Sequence, residues 1–214
     1  MTLQQARGTV YGVVLNDAIS RERIGSLDDA PYKGAPKAPV LYIKPANTRA
    51  TAGAAIALPE GASSVEVGAT IGLVIAQPAA RVAPESALSH VGALVLAADL
   101  SLPHASYYRP AIREKCFDQS LVLGAPQPLC DMAALALETS IDGQSVERFA
   151  LSELLRGPAQ LLSEVSSWMT LCPGDVLLVG VRYQAPQARA GQHIRIDAGA
   201  LGALQFEIKQ GGQA

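Results

Sequence analysis

The chain alternates between short apolar runs and breaks rich in glycine and proline, and this pattern predicts many short β-strands. The runs are rich in Val, Ile, Leu and Thr, and most are shorter than an ordinary helix. We predict strands at residues 9–15, 39–45, 65–76, 91–98, 176–181, 193–197 and 204–208. With few helices among them, these strands indicate an α+β, mostly β fold with a rolled or sandwiched mixed sheet.

The predicted strand at residues 65–76 places two different sets of side chains on its faces. Val, Ala, Ile and Leu alternate on one face, which should point to the core, while Gly68, Thr70 and Gly72 lie on the other. Small residues let a ligand or a second backbone approach closely, although tight packing or a bulge would need them equally.

Two helices and one hairpin complete the pattern. Apolar residues recur at helical spacing in residues 158–171, which predicts an amphipathic helix with Trp168 in the core, and residues 84–91 suit a short helix. Asp142 and Gly143 favour a tight turn, so residues 138–148 should form a hairpin. Ser152 is a suitable N-cap for a helical turn over residues 152–155.

The 214 residues can form one domain, within which residues 16–37 are predicted to be a lid or mobile loop. A net charge of −2 gives no basic stripe for nucleic acid, and no apolar stretch is long enough to span a membrane. The amino terminus lacks an apolar signal core, and three cysteines without CxxC spacing suit reduced thiols. A cytoplasmic protein is therefore expected.

Polar residues with possible chemistry gather between apolar runs in residues 97–126. Asp99 follows a strand that is apolar from Val91 to Ala98, and a carboxylate there must be solvated, paired or bound to a metal. A solvated strand end, or an ion pair with Arg109 or Lys115, explains it as well as a site does. Lys44 precedes Pro45, which ends its strand and should place the lysine near a sheet edge or pocket mouth.

Several segments, in order along nearly the whole chain, resemble the fumarylacetoacetate hydrolase family. They are YIKP at 42–45, LVIA at 73–76, AADLS at 97–101, KCFD at 115–118 and LCPGD at 171–175. Residues 68–76 and 101–118 are more narrowly similar to the amino-terminal half of the bifunctional isomerase/decarboxylases of 4-hydroxyphenylacetate degradation, whose halves are separate subunits in some bacteria. The resemblance implies the rolled mixed β-sandwich of this family.

The resemblance also implies an enzyme that works on 2-oxo acids through an enolate. Such enzymes decarboxylate 5-oxopent-3-ene-1,2,5-tricarboxylate and isomerise 2-hydroxyhepta-2,4-diene-1,7-dioate. Family members use Mg²⁺ or Mn²⁺, held by a Glu-x-Glu strand and one aspartate, to stabilise the charge that develops on oxygen.

Only part of the family's site is matched here. Asp99 matches the metal aspartate, whereas the Glu-x-Glu positions fall on Gly68 and Thr70, so a metal should be absent or weakly held. Lys115 matches the family lysine and is a candidate catalytic residue with Asp99; Lys44 matches the YIKP lysine. Glu66, two residues before Gly68, lies about 7 Å along the strand, too far to replace a ligand without a bulge.

Two further features of the family's site are not matched in this chain, and two other residues are candidates because of their own chemistry. The family's lid His/Glu pair falls near Ser20 and Arg23, and Val181 stands where threonine is usual. His104 is a candidate acid or base, although a lone histidine is more often an ordinary packing or surface residue. Arg109, with Lys44, is a candidate for binding substrate carboxylates.

Three functional hypotheses remain open at this stage. In the first, the chain is a subunit of the isomerase/decarboxylase that acts with a related metal-bearing subunit. In the second, it is a metal-free enzyme that uses Asp99, Lys115 and Arg109, with His104 as a further candidate. In the third, it is a non-catalytic structural partner. Each predicts a homodimer or a hetero-oligomer. The ligand in the first two is a small 2-oxo dicarboxylate or tricarboxylate.

Overall fold

The computed structural model describes residues 5–107 and 111–211. Its strands are β1 Val10–Val14, β2 Val40–Lys44, β3 Arg49–Thr51, β4 Ala55–Ala57, β5 Val65–Ile75, β6 Val91–Ser101, β7 Leu121–Leu123, β8 Ala136–Ile141, β9 Gln144–Ala150, β10 Val176–Leu178, β11 Gln187–Ala188, β12 His193–Asp197 and β13 Ala203–Lys209. Its α-helices are α1 Ala18–Ile24, α2 Pro84–Ala87, α3 Ile112–Lys115 and α4 Pro158–Ser166. This composition confirms the α+β, mostly β class.

The larger sheet is rolled, and its strand order shows why. The order is β2-β1-β10-β5-β6-β7-β3, with β11 added beside β5. A flat sheet of this order would separate β2 from β3 by six spacings, about 29 Å. The chain passes from Lys44 to Arg49 in five residues, which reach about 18 Å at most. The sheet must therefore curl until its two edges approach each other.

The second sheet has the order β4-β13-β12-β8-β9 and covers the convex face of the roll. The main core lies between the two sheets, where Leu73 and Leu96 of the roll join Ile194 and Phe206 of the second sheet in one buried cluster. A separate cluster that includes Val74, Val95 and Leu178 fills the inside of the roll.

The rolled shape explains the burial of β5 on both faces. The alternating pattern predicts one inward face, but every residue of β5 is buried. The face that carries Gly68, Thr70 and Gly72 looks into the roll, where small side chains leave space for residues from β1, β6 and β10. Gly72, for example, lies against Val176 and Val95.

The hairpin prediction is confirmed, and two helical predictions are corrected. β8 and β9 are joined at Asp142 and Gly143, both with positive φ. Trp168 is 62% exposed, so its assignment to the core is wrong, because α4 ends at Ser166 and helical spacing no longer applies there. Ser152 lies inside a 3₁₀ turn, Leu151–Glu153, that has no side-chain cap.

Two other helical regions also differ from the prediction. One predicted helix is divided in the structure, and one helix of the structure was not predicted. Residues 84–91 divide into α2 and a 3₁₀ turn, Leu88–His90. Residues 16–37 contain α1, whose N-cap Asp17 accepts a hydrogen bond from the Ser20 amide. In the described part of the chain, no helix has the length and apolar character needed to cross a membrane.

Candidate functional site

Asp99 lies inside the roll, where the pairing of β5, β6 and β7 fixes its surroundings. It is 1% exposed and pairs with Gly68 on one side and Leu121 on the other. Residues directly opposite each other project from the same face of a sheet. The carboxylate therefore stands beside a glycine, and the missing side chain leaves room for groups that arrive from other elements.

Two lysines contact this carboxylate, one from before it in the sequence and one from after it. Lys44 Nζ lies 2.7 Å from Asp99 Oδ1, and Lys115 Nζ donates to Oδ2 at 2.8 Å. The Asp99 and Lys44 side chains are fully buried, and that of Lys115 is 5% exposed. Of the alternatives for Asp99, the ion pair with Lys115 is the one present. Arg109 lies outside the described residues.

The ammonium of Lys44 is fully used by the protein. It donates to the carbonyl oxygens of Leu100 at 3.0 Å and Ser120 at 2.9 Å, and also to the carbonyl of Lys115. β2 is an edge strand, as predicted, but the side chain points inward and is buried. The expectation of a pocket-mouth position is therefore wrong, because the desolvated ammonium needs these acceptors.

Tyr42 completes the cluster and was missed at the sequence level. Its hydroxyl donates to Asp99 Oδ2, and Lys115 Nζ lies 4.5 Å from the centre of its ring. The ring crosses β1 at Gly12, where a β-carbon would stand only 2.0 Å from Tyr42 Cζ. The β1–β2 register, which pairs Gly12 with Tyr42, places the ring there, and no local sequence signal indicates that register. We call Asp99, Lys44, Lys115 and Tyr42 the ionic cluster.

The charges within the ionic cluster shift one another's protonation. Burial would raise the pKa of Asp99, but the Lys115 and Lys44 charges outweigh it and leave that pKa below its ordinary value. Burial lowers the pKa of Lys44 to about 8, against the opposing effect of Asp99. Burial, and then Asp99, hold the pKa of the Tyr42 hydroxyl well above its usual value. The Asp99 carboxylate is thus kept ionised by cations of its own chain.

The residues around Asp99 do not fit Mg²⁺ or Mn²⁺. Both carboxylate oxygens already face an ammonium group, whereas these ions require several oxygen ligands. Gly68 offers none, and a β-carbon there would stand 2.9 Å from the Asp99 carbonyl oxygen and 3.2 Å from Val181. Among residues 5–107 and 111–211, no three His, Cys, Asp or Glu side chains are grouped as metal ligands.

Little open space adjoins the ionic cluster. Val14, Leu15 and Val181 form a buried apolar group that Tyr42 and Tyr107 cover. The cavity between these tyrosines and Lys115 has a volume of about 50 Å³. That is enough for one or two waters and far below the volume of a typical ligand site.

A larger groove opens beside the roll, and His104 forms part of its wall. The groove has a volume of about 470 Å³, and its polar lining residues are Glu66, His104, Gln184 and Gln187. The His104 Nδ1 lies 3.0 Å from the Leu102 carbonyl oxygen, which can only accept, so Nδ1 carries the proton. The ring meets Tyr107 edge to face at 5.1 Å.

The predicted lid segment contains a helix that is docked against the rest of the protein. Asp17 pairs with buried Arg182, and Ser20 Oγ accepts from the Tyr183 amide at 2.8 Å. Arg23 donates to the Tyr183 carbonyl oxygen at 3.1 Å. Ser20 and Arg23, at the family's lid positions, therefore anchor α1 in this arrangement.

Comparisons with known proteins agree with the fold and relate the chain to enzymes. A bifunctional isomerase/decarboxylase of 4-hydroxyphenylacetate degradation from Salmonella dublin is 38% identical over 206 residues, 94% of this chain and 47% of that protein. The chain thus spans about half the length of this relative. A mitochondrial oxaloacetate tautomerase from Oryza sativa subsp. japonica is 31% identical over 82% of each chain.

Solved structures show the same architecture. The 5-carboxymethyl-2-hydroxymuconate delta-isomerase from Mycobacterium smegmatis superposes with a TM-score of 0.83 at 25% identity, over 99% of this chain and 81% of the other. Fumarylpyruvate hydrolase from Pseudomonas aeruginosa, solved with Mn²⁺ and pyruvate, gives 0.81 at 20% identity, over 95% and 90%. A divalent metal thus occurs among proteins of this fold.

The family model described as fumarylacetoacetate hydrolase C-terminal matches residues 9–209, nearly the whole of the described structure. The segments that carry the resemblance in the sequence lie on β2, β5, β6, α3 and the turn before β10, and three of them, at 42–45, 97–101 and 115–118, supply the residues of the ionic cluster. The chain belongs to the fumarylacetoacetate hydrolase family.

Proposed function

We propose that the chain is one component of an isomerase/decarboxylase of 4-hydroxyphenylacetate degradation. Its ligands would be 2-oxo acids that react through an enol or enolate, namely 5-oxopent-3-ene-1,2,5-tricarboxylate and 2-hydroxyhepta-2,4-diene-1,7-dioate. The 38% identity to the Salmonella dublin enzyme supports this assignment, and the match to about half of that enzyme supports a role as one of two related parts.

The observation that carries the proposal is the pairing of Asp99 with Lys44 and Lys115. Because the cations that balance this carboxylate belong to the chain itself, a step that depends on Mg²⁺ is assigned to a related, metal-bearing subunit. The chain would bind that subunit as a hetero-oligomer. A homodimer is the other arrangement compatible with the family resemblance.

The first experiment measures loss of the ultraviolet absorbance of 2-hydroxyhepta-2,4-diene-1,7-dioate. The chain is tested alone and together with the related subunit, with Mg²⁺ and with excess chelator. We expect metal-dependent turnover by the pair and none by the chain alone. Turnover by the chain alone that chelator abolishes would refute the assignment of the metal step.

A non-catalytic structural partner is the second candidate, and the filled roll favours it. A cavity of about 50 Å³ beside Lys115 does not admit a seven-carbon dicarboxylate. Lys115→Met separates the two candidates, with Lys209→Met as the control because Lys209 is exposed. Unchanged turnover by a folded complex with Lys115→Met would favour the structural role, and a selective loss would favour participation in catalysis.

A further inference from the structure

The seam at which the two edges of the rolled sheet meet is held by side chains. Asn47 Nδ2 donates to the Cys116 carbonyl oxygen at 3.2 Å, and Cys116 Sγ donates to the Ile43 carbonyl oxygen at 3.5 Å. β2 ends the strand order of the larger sheet, so within the described chain no strand pairs with its outer side. The surface along this seam, which we call the seam patch, consists of Ile43, Ile112, Arg113, Glu114 and Cys116.

Two large apolar side chains of the seam patch face solvent. Ile112 is 61% exposed and Ile43 is 51% exposed. Cys116 links them, because its amide donates to the Ile112 carbonyl oxygen at 2.8 Å and its thiol donates to that of Ile43. A single exposed apolar residue is ordinary on a protein surface, whereas neighbouring ones are typical of an interaction site.

The seam patch also has two opposite charges that the chain leaves unpaired. Arg113 is exposed and Glu114 is half-buried, and among the described residues neither side chain has an ion-pair partner. Consecutive residues of a helix do not face each other, so these two cannot pair within one chain. An arginine beside a glutamate is complementary to a second copy of the same surface, because two-fold symmetry places each arginine against the other copy's glutamate.

We propose that the seam patch binds a second copy of the chain around a two-fold axis. Antiparallel α3 helices would place Ile112 of each copy against the surface beside Ile43 of the other. The same arrangement would bring Arg113 of each copy to Glu114 of the other. The isoleucines would leave water, which drives association, and the two ion pairs would fix the register of the helices.

The interface would also support the ionic cluster from outside. β2 carries Tyr42 and Lys44, α3 carries Lys115, and these elements meet at the seam without a shared strand pairing in the described chain. A second copy would cover the seam and hold both elements in place. The inference does not depend on the proposed function, because a two-fold dimer leaves other faces of the chain free for a related subunit.

The first test is sedimentation velocity of the full chain alone, from about 1 to 100 µM, a range that spans ordinary dimer dissociation constants. We expect a dimer for wild type and a dissociation constant raised at least about thirtyfold by Ile112→Glu. Val146→Glu is the matched control, because Val146 is 43% exposed on β9, away from the seam, and should leave the dimer unchanged. A monomeric wild type, or a dimer that survives Ile112→Glu, would overturn the proposal.

Exchanging the charges tests the pairing without changing an apolar residue. Arg113→Glu gives each copy two adjacent acidic residues, and Glu114→Arg gives two adjacent basic ones. Each variant alone should dissociate about tenfold more readily than wild type, because like charges then face each other. An equimolar mixture should recover the dimer, since each acidic pair now meets a basic pair. Variants that dimerise like wild type, or that stay apart when mixed, would contradict the two-fold arrangement.

The same experiment separates a second copy from another occupant of the seam patch. A chain that stays monomeric alone and associates only with the related subunit would overturn the second copy as the occupant. Turnover of the dienol by the assembled enzyme is measured separately. A failed dimer therefore leaves the proposed function standing, and the reverse also holds.

Discussion

Replacing Glu66 by Gln should change how the stability of the protein depends on pH. Burial raises the pKa of Glu66 from its ordinary 4.5 to about 7. Between pH 4.5 and about 7, Glu66 of the folded protein therefore keeps a proton that the unfolded chain has lost. The free energy of unfolding falls as pH rises through this window. With about 1.36 kcal/mol for each pH unit, and with water in the open groove screening part of the effect, the loss is at most about 3 kcal/mol by pH 8. Glutamine has no such proton, and the variant should not show this loss.

Urea unfolding of both proteins at pH 4, 5, 6, 7 and 8 measures this difference. The free energy of unfolding of wild type minus that of Glu66→Gln should be constant below pH 4.5 and then decline by at most about 3 kcal/mol. Glu85→Gln, at the exposed start of α2, controls for the loss of a surface charge. Parallel curves for wild type and Glu66→Gln would show that Glu66 titrates normally and would refute the reasoning.

Three further predictions concern the ionic cluster and its surroundings. Asp99→Asn should lower the free energy of unfolding in urea by about 3–5 kcal/mol, because two buried ammonium groups lose their counter-ion. Excess chelator should leave the melting temperature of wild type unchanged, because the balancing charges are covalent parts of the chain. Gly68→Glu should lower the melting temperature and should not yield Mg²⁺ binding by calorimetry, since Val181 closes the space and Asp99 is already paired.

Each of these three predictions would be contradicted by a specific result. Asp118→Asn is the exposed control and should lower the free energy of unfolding by under about 1 kcal/mol. If Asp99→Asn lowered it by no more than this control, the ionic cluster would contribute nothing to stability. A fall in melting temperature with chelator would reveal a bound metal. Micromolar Mg²⁺ binding by Gly68→Glu would show that the neighbouring lysines do not exclude the ion.

The longer strands could be predicted from the sequence, because their apolar runs differ clearly from the glycine and proline breaks. The two- and three-residue strands β3, β4, β7 and β11 could not, because their runs are too short to form a pattern. Helical spacing was less reliable. It placed Trp168 in the core because periodicity continues past Ser166, whereas the helix itself ends there. The glycines and prolines of residues 16–37 favour a loop, whereas the N-cap at Asp17 starts α1 within that segment.

The candidate site could be predicted only in part. Asp99 and Lys115 were identified because a buried acid needs a cation, and both are present in one segment. Tyr42 could not be foreseen, since its contact depends on the β1–β2 register that places its ring across Gly12. The inward direction of Lys44 depends on the curl of the whole sheet. Such features arise from topology rather than from local pattern.

The position of Lys44 also constrains the order in which the chain can assemble. Its ammonium bonds to Leu100, Lys115 and Ser120, which follow it by 56, 71 and 76 residues. Contacts that distant form only after the entropy of closing long loops has been lost. On the ribosome, Lys44 lacks the full set of these acceptors until Ser120 has been made and has left the exit tunnel. Until then the rolled sheet cannot close around Lys44, and during that interval a chaperone would have the most to protect.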